Sequence, residues 1–318
     1  MEFLVLCGAN AISGGPELAH QLCHAIQENT SYKARMCYVD LNAPADACLP
    51  VDISVPEKYM EYNTEHVSNI DEIDSGEQIV IIPEGLTLAL VNFTKARVAL
   101  WWMSVDNYVK ATHGADMDRI RDKCRWHLVQ SFYARKYVEE HFTGQVIMDL
   151  SDYINLEHGK FMLPAAYRQD IVLYNPKKGY DTLLPLMEQV GWIQWIPLRG
   201  LNLEKTIFLM QSAKIYIDFG NHPGKDRIPR EAAVNGCCVI TNKLGSAAFS
   251  EDVPIPEKYK FDNPLRELDT IENLMRNICN DMEKYQRDFA DYREWIHGEK
   301  ERFDKEVLRF VDLCSGAV

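Results

Sequence analysis

Two hydrophobic patterns alternate along the chain. Continuous apolar runs, typical of buried strands, occupy residues 2–7, 36–39, 78–82 and 97–103, and apolar residues at helical spacing follow several of them. Further strands are predicted at 127–130 and 145–150, and helices at 86–92 and 133–142. Strands that alternate with helices indicate a parallel sheet covered on both faces. The first half of the chain is therefore predicted to be an α/β domain.

This alternation stops between residues 155 and 170, where no hydrophobic period is visible, and it resumes afterwards. Strands are predicted at 171–174, 193–196, 214–219 and 237–241, and helices at 180–189, 203–212 and 229–235. The second half therefore predicts another α/β domain. We place the two domains at residues 1–160 and 161–268.

From Asp269 onwards the apolar residues keep a helical spacing as far as Ile296, with charges between them. Residues 269–318 are predicted to form a long amphipathic helical tail. Asp269 and Glu272 have the spacing of a capping box, which predicts the start of this helix. Charges of both signs favour an outer face that is in contact with water. Peripheral membrane contact is the alternative.

Composition and charge then limit the partners. The chain has 318 residues, 47% of them hydrophobic, and a formal net charge of −13 without any basic run. A nucleic-acid partner is excluded because it needs a cationic surface. The apolar run Val98 to Met103 is far too short to cross a bilayer, and Glu2 stands where a secretory signal carries positive charge. We predict a cytoplasmic protein without a transmembrane segment.

Nine cysteines, Cys48 among them, are scattered without a CxxC pair, which excludes a disulfide framework and a zinc knuckle. Most of them are predicted to pack in the core. The GxSxG, HExxH and Walker motifs are absent, and no metal site has suitable spacing. Neither a metal nor a resident cofactor is expected.

The segment Ile215–Thr241 is the most informative one. It predicts a strand, a glycine-containing loop with His222, and a helix that begins at Pro229, so that Glu231 falls in its first turn. Lys225, Arg227 and Arg230 make this helix start cationic, which favours an anion site. The alternative is a surface pair between Arg227 and Glu231 at i and i+4.

The segment Leu173–Asp181 places Lys177 and Lys178 after another strand. Ligands of α/β sheets bind at the carboxyl ends of the strands, and both segments are predicted to open on that edge of one sheet. Asn-Pro and Lys-Gly are also common turn residues, so this motif is weak alone.

The first half offers two more candidates. Gly14 and Gly15 follow the first strand and precede a helix, so backbone there can approach a ligand closely. Asp106 follows the strand that contains Trp101 and is a candidate base or, alternatively, a loop cap. Glu84, after the strand at 78–82, has a similar but weaker case.

These features together resemble the GT-B glycosyltransferases, and the segment GKDRIPREAAVNGCCVITN is similar to the donor-binding segment of the family 4 (group 1) type. The resemblance covers nearly the whole chain. It implies two Rossmann-like domains that face a cleft, and a terminal helix that crosses back to the first domain. It also implies a nucleotide-sugar donor as substrate and a glycan or lipid-linked acceptor.

Site roles follow from the same resemblance. The residue matching Glu231 holds the ribose of the nucleotide, and the one matching Lys178 contacts the diphosphate. The loop matching Gly14 and Gly15 lies against donor phosphates and acceptor. Lys225 and Arg227 complete the predicted donor site.

The chain departs from the family pattern at several positions. Pro223, with His222 beside it, replaces a second glutamate of the retaining members, and residues 170–174 lack the usual cation before Lys178. Ser104 and Asp106 stand where a histidine often follows the fourth strand. Asp106 and His222 are therefore the candidate catalytic residues. The alternatives are a transferase of CMP-linked acidic sugars with the same fold and a catalytically silent nucleotide-binding or scaffolding subunit.

Overall fold

A seven-stranded parallel sheet forms the centre of the first of two units, which contains residues 1–152 and 300–318. The computed structural model describes residues 1–43 and 50–316, so Cys48 lies outside the described residues. The sheet order is β3-β2-β1-β4-β5-β6-β7. Its strands are β1 (Glu2–Gly8), β2 (Lys33–Val39), β3 (Glu65–His66), β4 (Gln78–Pro83), β5 (Arg97–Trp102), β6 (Cys124–Val129) and β7 (Val146–Asp149).

Helices connect these strands, as the hydrophobic periods predict. They are α1 (Gly14–Asn29), α2 (Val105–Thr112), α3 (Met117–Lys123) and α4 (Phe132–His141). Residues 57–62, 70–72 and 84–92 form 3₁₀ segments. The helix predicted at 86–92 is present as part of the 3₁₀ segment Glu84–Asn92, which is kinked at Leu86. The short helices α2 and α3 were not predicted, since neither is long enough to show a clear period.

The second unit, residues 153–299, contains a five-stranded parallel sheet in the order β12-β11-β10-β8-β9. Its strands are β8 (Gln169–Tyr174), β9 (Gln194–Pro197), β10 (Ala213–Asp218), β11 (Cys238–Asn242) and β12 (Lys260–Phe261). Its helices are α5 (Tyr180–Gln189), α6 (Leu203–Ser212), α7 (Arg227–Val234), α8 (Leu268–Asn280), α9 (Met282–Arg287) and α10 (Ala290–His297). The central strands are buried on both faces and form the core.

The helical tail is present but is not one continuous helix. After α8, α9 and α10 a last helix, α11 (Glu299–Ser315), follows, and its residues from Lys300 onwards belong to the first unit. There Phe310 packs against Phe3 and Trp126, with ring centroids 6.0 and 6.1 Å apart. No helix within 1–43 and 50–316 is long and apolar enough to span a membrane.

The predicted capping box at the start of the tail was wrong. α8 begins at Leu268, so Asp269 lies inside its first turn. The carboxylates of Asp269 and Glu272 both accept hydrogen bonds from Gln189 Nε2, at 2.9 and 2.8 Å. The carboxylates of Asp269 and Glu272 therefore bind Gln189 on α5 instead of the free amides at the start of α8.

Arg168 connects several parts of the second unit. Its buried guanidinium donates hydrogen bonds to the carbonyl oxygens of Leu163, Met210, Ala213 and Asn235. One side chain thus supplies hydrogen bonds to four backbone carbonyls. This arrangement fixes the segment before β8 against the ends of α6 and α7.

Gly236 is required beside this guanidinium. Its φ is +98°, and a Cβ atom there would lie 2.0 Å from Arg168 Nη2.

We expect Gly236→Ala to lower the free energy of unfolding by about 2–4 kcal/mol, through backbone strain and displacement of Arg168. Urea unfolding measures the change. Gly191→Ala is the matched control, because nothing lies within 4 Å of its Cβ position, and we expect a change within about 0.5 kcal/mol. Equal effects of both substitutions would contradict this account.

A buried carboxyl group lies at the end of β4. Glu84 is 5% exposed, and one of its oxygens accepts the Met103 amide hydrogen at 2.9 Å. Burial raises the pKa of Glu84 to about 7, against the opposing effect of the Met103 and Ser104 amides. The group therefore favours the folded state most strongly when it is protonated.

This pKa shift predicts a pH-dependent stability. Because the folded-state pKa lies above the ordinary value of 4.5, the stability that Glu84 contributes is fully present below pH 4.5 and is lost as the pH rises through 7. The difference in free energy of unfolding between wild type and Glu84→Gln is expected to change by up to about 3 kcal/mol in favour of Glu84→Gln between acidic and alkaline pH. Urea unfolding of both proteins across this range tests it, and a pH-independent difference would contradict the assignment.

Candidate functional site

The two candidate segments of the second unit meet at the middle of its sheet. β8 and β10 are parallel neighbours, and Ile217 pairs with Tyr174 near their carboxyl ends. From β8 the chain continues to β9 on one side, and from β10 to β11 on the other. The strand order therefore reverses between β8 and β10, where open α/β sheets bind their ligands. Lys178 follows β8 at this point, and His222 follows β10.

Lys178 is held by acidic groups in this crevice. Its Nζ lies 2.5 Å from Asp226 Oδ2 and 3.4 Å from Asp218 Oδ2, and it donates to the carbonyl of Asn221 at 3.2 Å. Although burial opposes it, the attraction of Asp218 and Asp226 raises the pKa of Lys178. The ammonium group is therefore charged and already ion-paired.

Glycines allow the two segments to approach each other. Gly179 has a φ of +68°, and a Cβ atom on it would lie 2.3 Å from the Gly220 nitrogen. A Cβ on Gly220 would lie 2.7 Å from Lys178 Cγ. Only a residue without a side chain fits at either position. This close packing explains how Lys178 reaches the acidic groups on the other segment.

His222 is almost fully buried, at 1% exposure. Its Nδ1 lies 2.6 Å from Asp226 Oδ2 and its Nε2 lies 3.9 Å from Asp218 Oδ1. Its Nε2 makes no hydrogen bond within residues 1–43 and 50–316. The sequence singled out His222 from its loop position but gave no sign of the two carboxylates around it.

The helix after this loop begins earlier than predicted. α7 starts at Arg227, so Pro229 is its third residue and Glu231 lies in the second turn. The prediction that Pro229 opens the helix was wrong, because the first four amides of any helix lack intrahelical partners and a proline fits at each of these positions. Asp226 precedes the helix, but its side chain does not cap it.

Glu231 lies between two basic groups. Its Oε1 is 3.7 Å from Arg227 Nε and 3.8 Å from His158 Nε2. The i and i+4 pair between Arg227 and Glu231 is therefore present. His158 was missed by the sequence analysis, because it comes from the segment without a period and lies 73 residues before Glu231 in the chain. Its Nδ1 is 2.8 Å from Asn235 Nδ2, which fixes the ring.

Two of the predicted cations balance a buried carboxylate. Lys225 Nζ lies 3.0 Å from Glu299 Oε1 and 4.4 Å from the ring centroid of Trp295. Arg230 Nη1 lies 2.8 Å from Glu299 Oε2, and both side chains are buried. Much of the positive charge expected at the helix start thus compensates Glu299, and ligand binding by Lys225 stays a prediction.

The first unit has a cavity at the corresponding place in its own sheet. β1 and β4 are the neighbours between which its strand order reverses, and a cavity of about 240 Å³ lies at their carboxyl ends. Its walls are mainly apolar and comprise Leu6, Cys7, Gly8, Ala11, Ser13, Gly15, Pro16, Ala19, Leu41, Pro83, Gly85, Leu86 and Met103. Gly14 is the first residue of α1. Gly15 therefore lines this cavity, and Gly14 precedes it in the chain.

Asp106 is the remaining predicted site residue. It lies in the first turn of α2 and is half-buried, and its Oδ1 accepts a hydrogen bond from the Tyr133 hydroxyl at 2.5 Å. Its carboxylate does not cap α2 in the manner of an N-cap residue, because it follows Ser104 and Val105. Its role as a base stays a prediction.

No model of a known protein family matches the chain, and no curated protein matches it. Sucrose-phosphate synthase from Thermosynechococcus elongatus superposes with a TM-score of 0.70 at 14% identity, over 100% of both chains.

Two further solved structures are also similar to this chain. HepE from Anabaena, solved in complex with UDP, has a TM-score of 0.71 at 9% identity, over 98% of this chain and 100% of that chain. The trehalose-6-phosphate synthase OtsA has a TM-score of 0.60 at 9% identity, over 96% and 97%. The prediction of two parallel-sheet α/β domains with a helical tail is confirmed, and the chain has the GT-B fold of these glycosyltransferases.

Proposed function

We propose that the protein is a glycosyltransferase that moves a sugar from a nucleotide-activated donor to a glycan or lipid-linked acceptor. One observation carries the proposal: Lys178 and the start of α7 converge where the strand order of the second sheet reverses, in a chain with the fold of HepE, which was solved with UDP. No nucleic-acid partner is proposed, and the reaction is placed in the cytoplasm.

The donor is assigned to the second unit. Glu231 binds the ribose hydroxyls, and His158 and Arg227 orient its carboxylate from 3.8 and 3.7 Å. Lys178, Lys225 and Arg227 are assigned to the phosphates, together with the free amides of α7. Positive charge from side chains and amides offsets the charge that grows on the leaving phosphate, so the transfer itself needs no bound metal ion.

The acceptor is assigned to the first unit. The cavity beside Gly15 offers an apolar surface, and Gly14 allows backbone to approach the reacting groups. If the enzyme inverts the configuration, a base must deprotonate the acceptor hydroxyl, and Asp106 is the first candidate. His222 is the second candidate catalytic residue, because it follows β10 at the crevice.

Replacing Glu231 tests the donor site. Glu231→Ala removes the proposed ribose contact, and we expect nucleotide affinity to fall about 10- to 100-fold, the effect of one or two charge-assisted hydrogen bonds. Calorimetry with UDP, GDP and CMP measures it. Glu204→Ala is the matched control, because Glu204 lies in the first turn of α6 and is exposed. Unchanged affinity for every nucleotide bound by wild type would show that the pocket is wrongly assigned.

A second donor class keeps the same fold. His222 and the neighbouring cations favour a CMP-linked acidic sugar, which presents one phosphate and a carboxylate. Competition among CMP, UDP and GDP in a thermal-shift assay separates the two classes. Stabilisation by UDP or GDP at lower concentration than CMP supports the diphosphate donor, and the reverse order supports the acidic sugar.

A third possible function is that of a catalytically silent nucleotide-binding or scaffolding subunit. Pro223 favours this alternative, because it replaces the glutamate that the family has at this position. We expect the purified protein to hydrolyse or transfer its donor, with Glu231→Ala inactive. Tight nucleotide binding without any turnover across a panel of nucleotide sugars and acceptors would instead establish the silent subunit.

A further inference from the structure

We propose that Asp218, His222 and Asp226 form a binding site for a divalent first-row transition-metal ion. We call these three residues the Asp–His–Asp cluster. One ligand atom from each residue lies within 4.8 Å of the others. Two carboxylate oxygens and one imidazole nitrogen are a donor set that suits ions such as Mn²⁺, Co²⁺ and Zn²⁺.

His222 is the observation that points to an ion. The ring is 99% buried, and its Nε2 has no hydrogen-bond partner among the described residues. A buried polar group without a partner costs about 1–3 kcal/mol. Nδ1 lies 2.6 Å from Asp226 Oδ2.

The loop that carries the cluster is held in place by hydrogen bonds from the following strand and turn. Asn242 Nδ2 donates to the Gly220 carbonyl at 2.8 Å, and the Ser246 amide donates to the His222 carbonyl at 2.9 Å. Tyr216 donates its hydroxyl hydrogen to Asp218 Oδ2 at 2.9 Å. Ligands that are fixed before the ion arrives bind it with a smaller entropic cost.

The Lys178 ammonium group is the present counter-charge of this site. It lies 2.5 Å from Asp226 and 3.4 Å from Asp218, and thus pairs with both carboxylates of the cluster. An ion at the cluster replaces this ammonium as the partner of both carboxylates. Lysine and metal ion are therefore alternative occupants, and metal binding releases Lys178.

Release of Lys178 couples the cluster to the nucleotide, and this step rests on the proposed function. A freed ammonium group is available to a phosphate, so the metal ion and a nucleoside diphosphate should each strengthen the binding of the other. The coupling is reciprocal by thermodynamic linkage. The ion therefore regulates donor affinity through Lys178.

Removing the competing lysine provides the test. Lys178→Met keeps the length of the side chain without its charge, and Co²⁺ is the probe because its visible absorption reports coordination. We expect Lys178→Met to bind Co²⁺ at least about tenfold more tightly than wild type, as expected when a competing ion pair is lost. We also expect Co²⁺ to restore the melting temperature that this variant loses in EDTA. Lys177→Met, at the exposed neighbouring lysine, is the matched control and should behave as wild type.

Further variants test whether the Co²⁺ signal comes from the Asp–His–Asp cluster. Adding His222→Gln to Lys178→Met should abolish the Co²⁺ absorption and the thermal rescue. Should Lys178→Met not fold in EDTA, the Co²⁺ spectra of wild type and His222→Gln are compared instead. An absorption that survives His222→Gln, or no saturable Co²⁺ binding in any variant, would overturn the proposal and leave a closed ion-pair cluster.

A final titration separates the two proposals. Co²⁺ affinity of wild type is measured with and without UDP, and an increase of about tenfold in the presence of UDP supports the coupling. UDP that binds without changing Co²⁺ affinity overturns the coupling alone. Co²⁺ binding in a protein that binds no nucleotide contradicts the proposed function and leaves the metal site standing.

Discussion

The second unit is organised around buried negative charge at the end of β10. Asp218 is 2% exposed, and an isolated carboxylate at that depth is costly unless it is paired and hydrogen-bonded. The Tyr216 hydroxyl, the Gly220 amide and the Lys178 ammonium supply the required partners. Because these groups come from three different parts of the chain, one carboxylate fixes the mutual positions of β10, the loop after it and the turn after β8.

The same principle explains how an acidic protein uses its scarce positive charge. Glu299 is buried at the start of α11, and Lys225 and Arg230 lie against its two oxygens. Removing either partner would leave a buried charge only partly compensated, which is far more costly than losing a surface pair. Lys225 and Arg230, which look available for a ligand in the sequence, thus stabilise the buried carboxylate of Glu299. The positive charge of the donor site therefore comes mainly from Lys178 and Arg227.

The sequence predicted the regular elements well and their side-chain partners poorly. The bounds predicted for α5 and α6 agree with the structure, because each helix has two to three turns of clear amphipathic spacing. The contact between Glu231 and His158 joins residues 73 positions apart, one of them in a stretch without any period. No local pattern encodes such a pair, because the folding of the whole sheet brings it together. The start of α7 was misplaced for a different reason: proline is compatible with several positions in a first turn.

The path of α11 has a consequence for how the protein folds during synthesis. Residues 153–299 form an uninterrupted stretch, so the second unit is complete once Glu299 has left the ribosome. The first unit still lacks Phe310, whose ring packs against Phe3 and Trp126. Its sheet therefore stays without part of its apolar cover while about half of the chain is made. The second unit, although later in the sequence, is the first of the two that can reach its final packing.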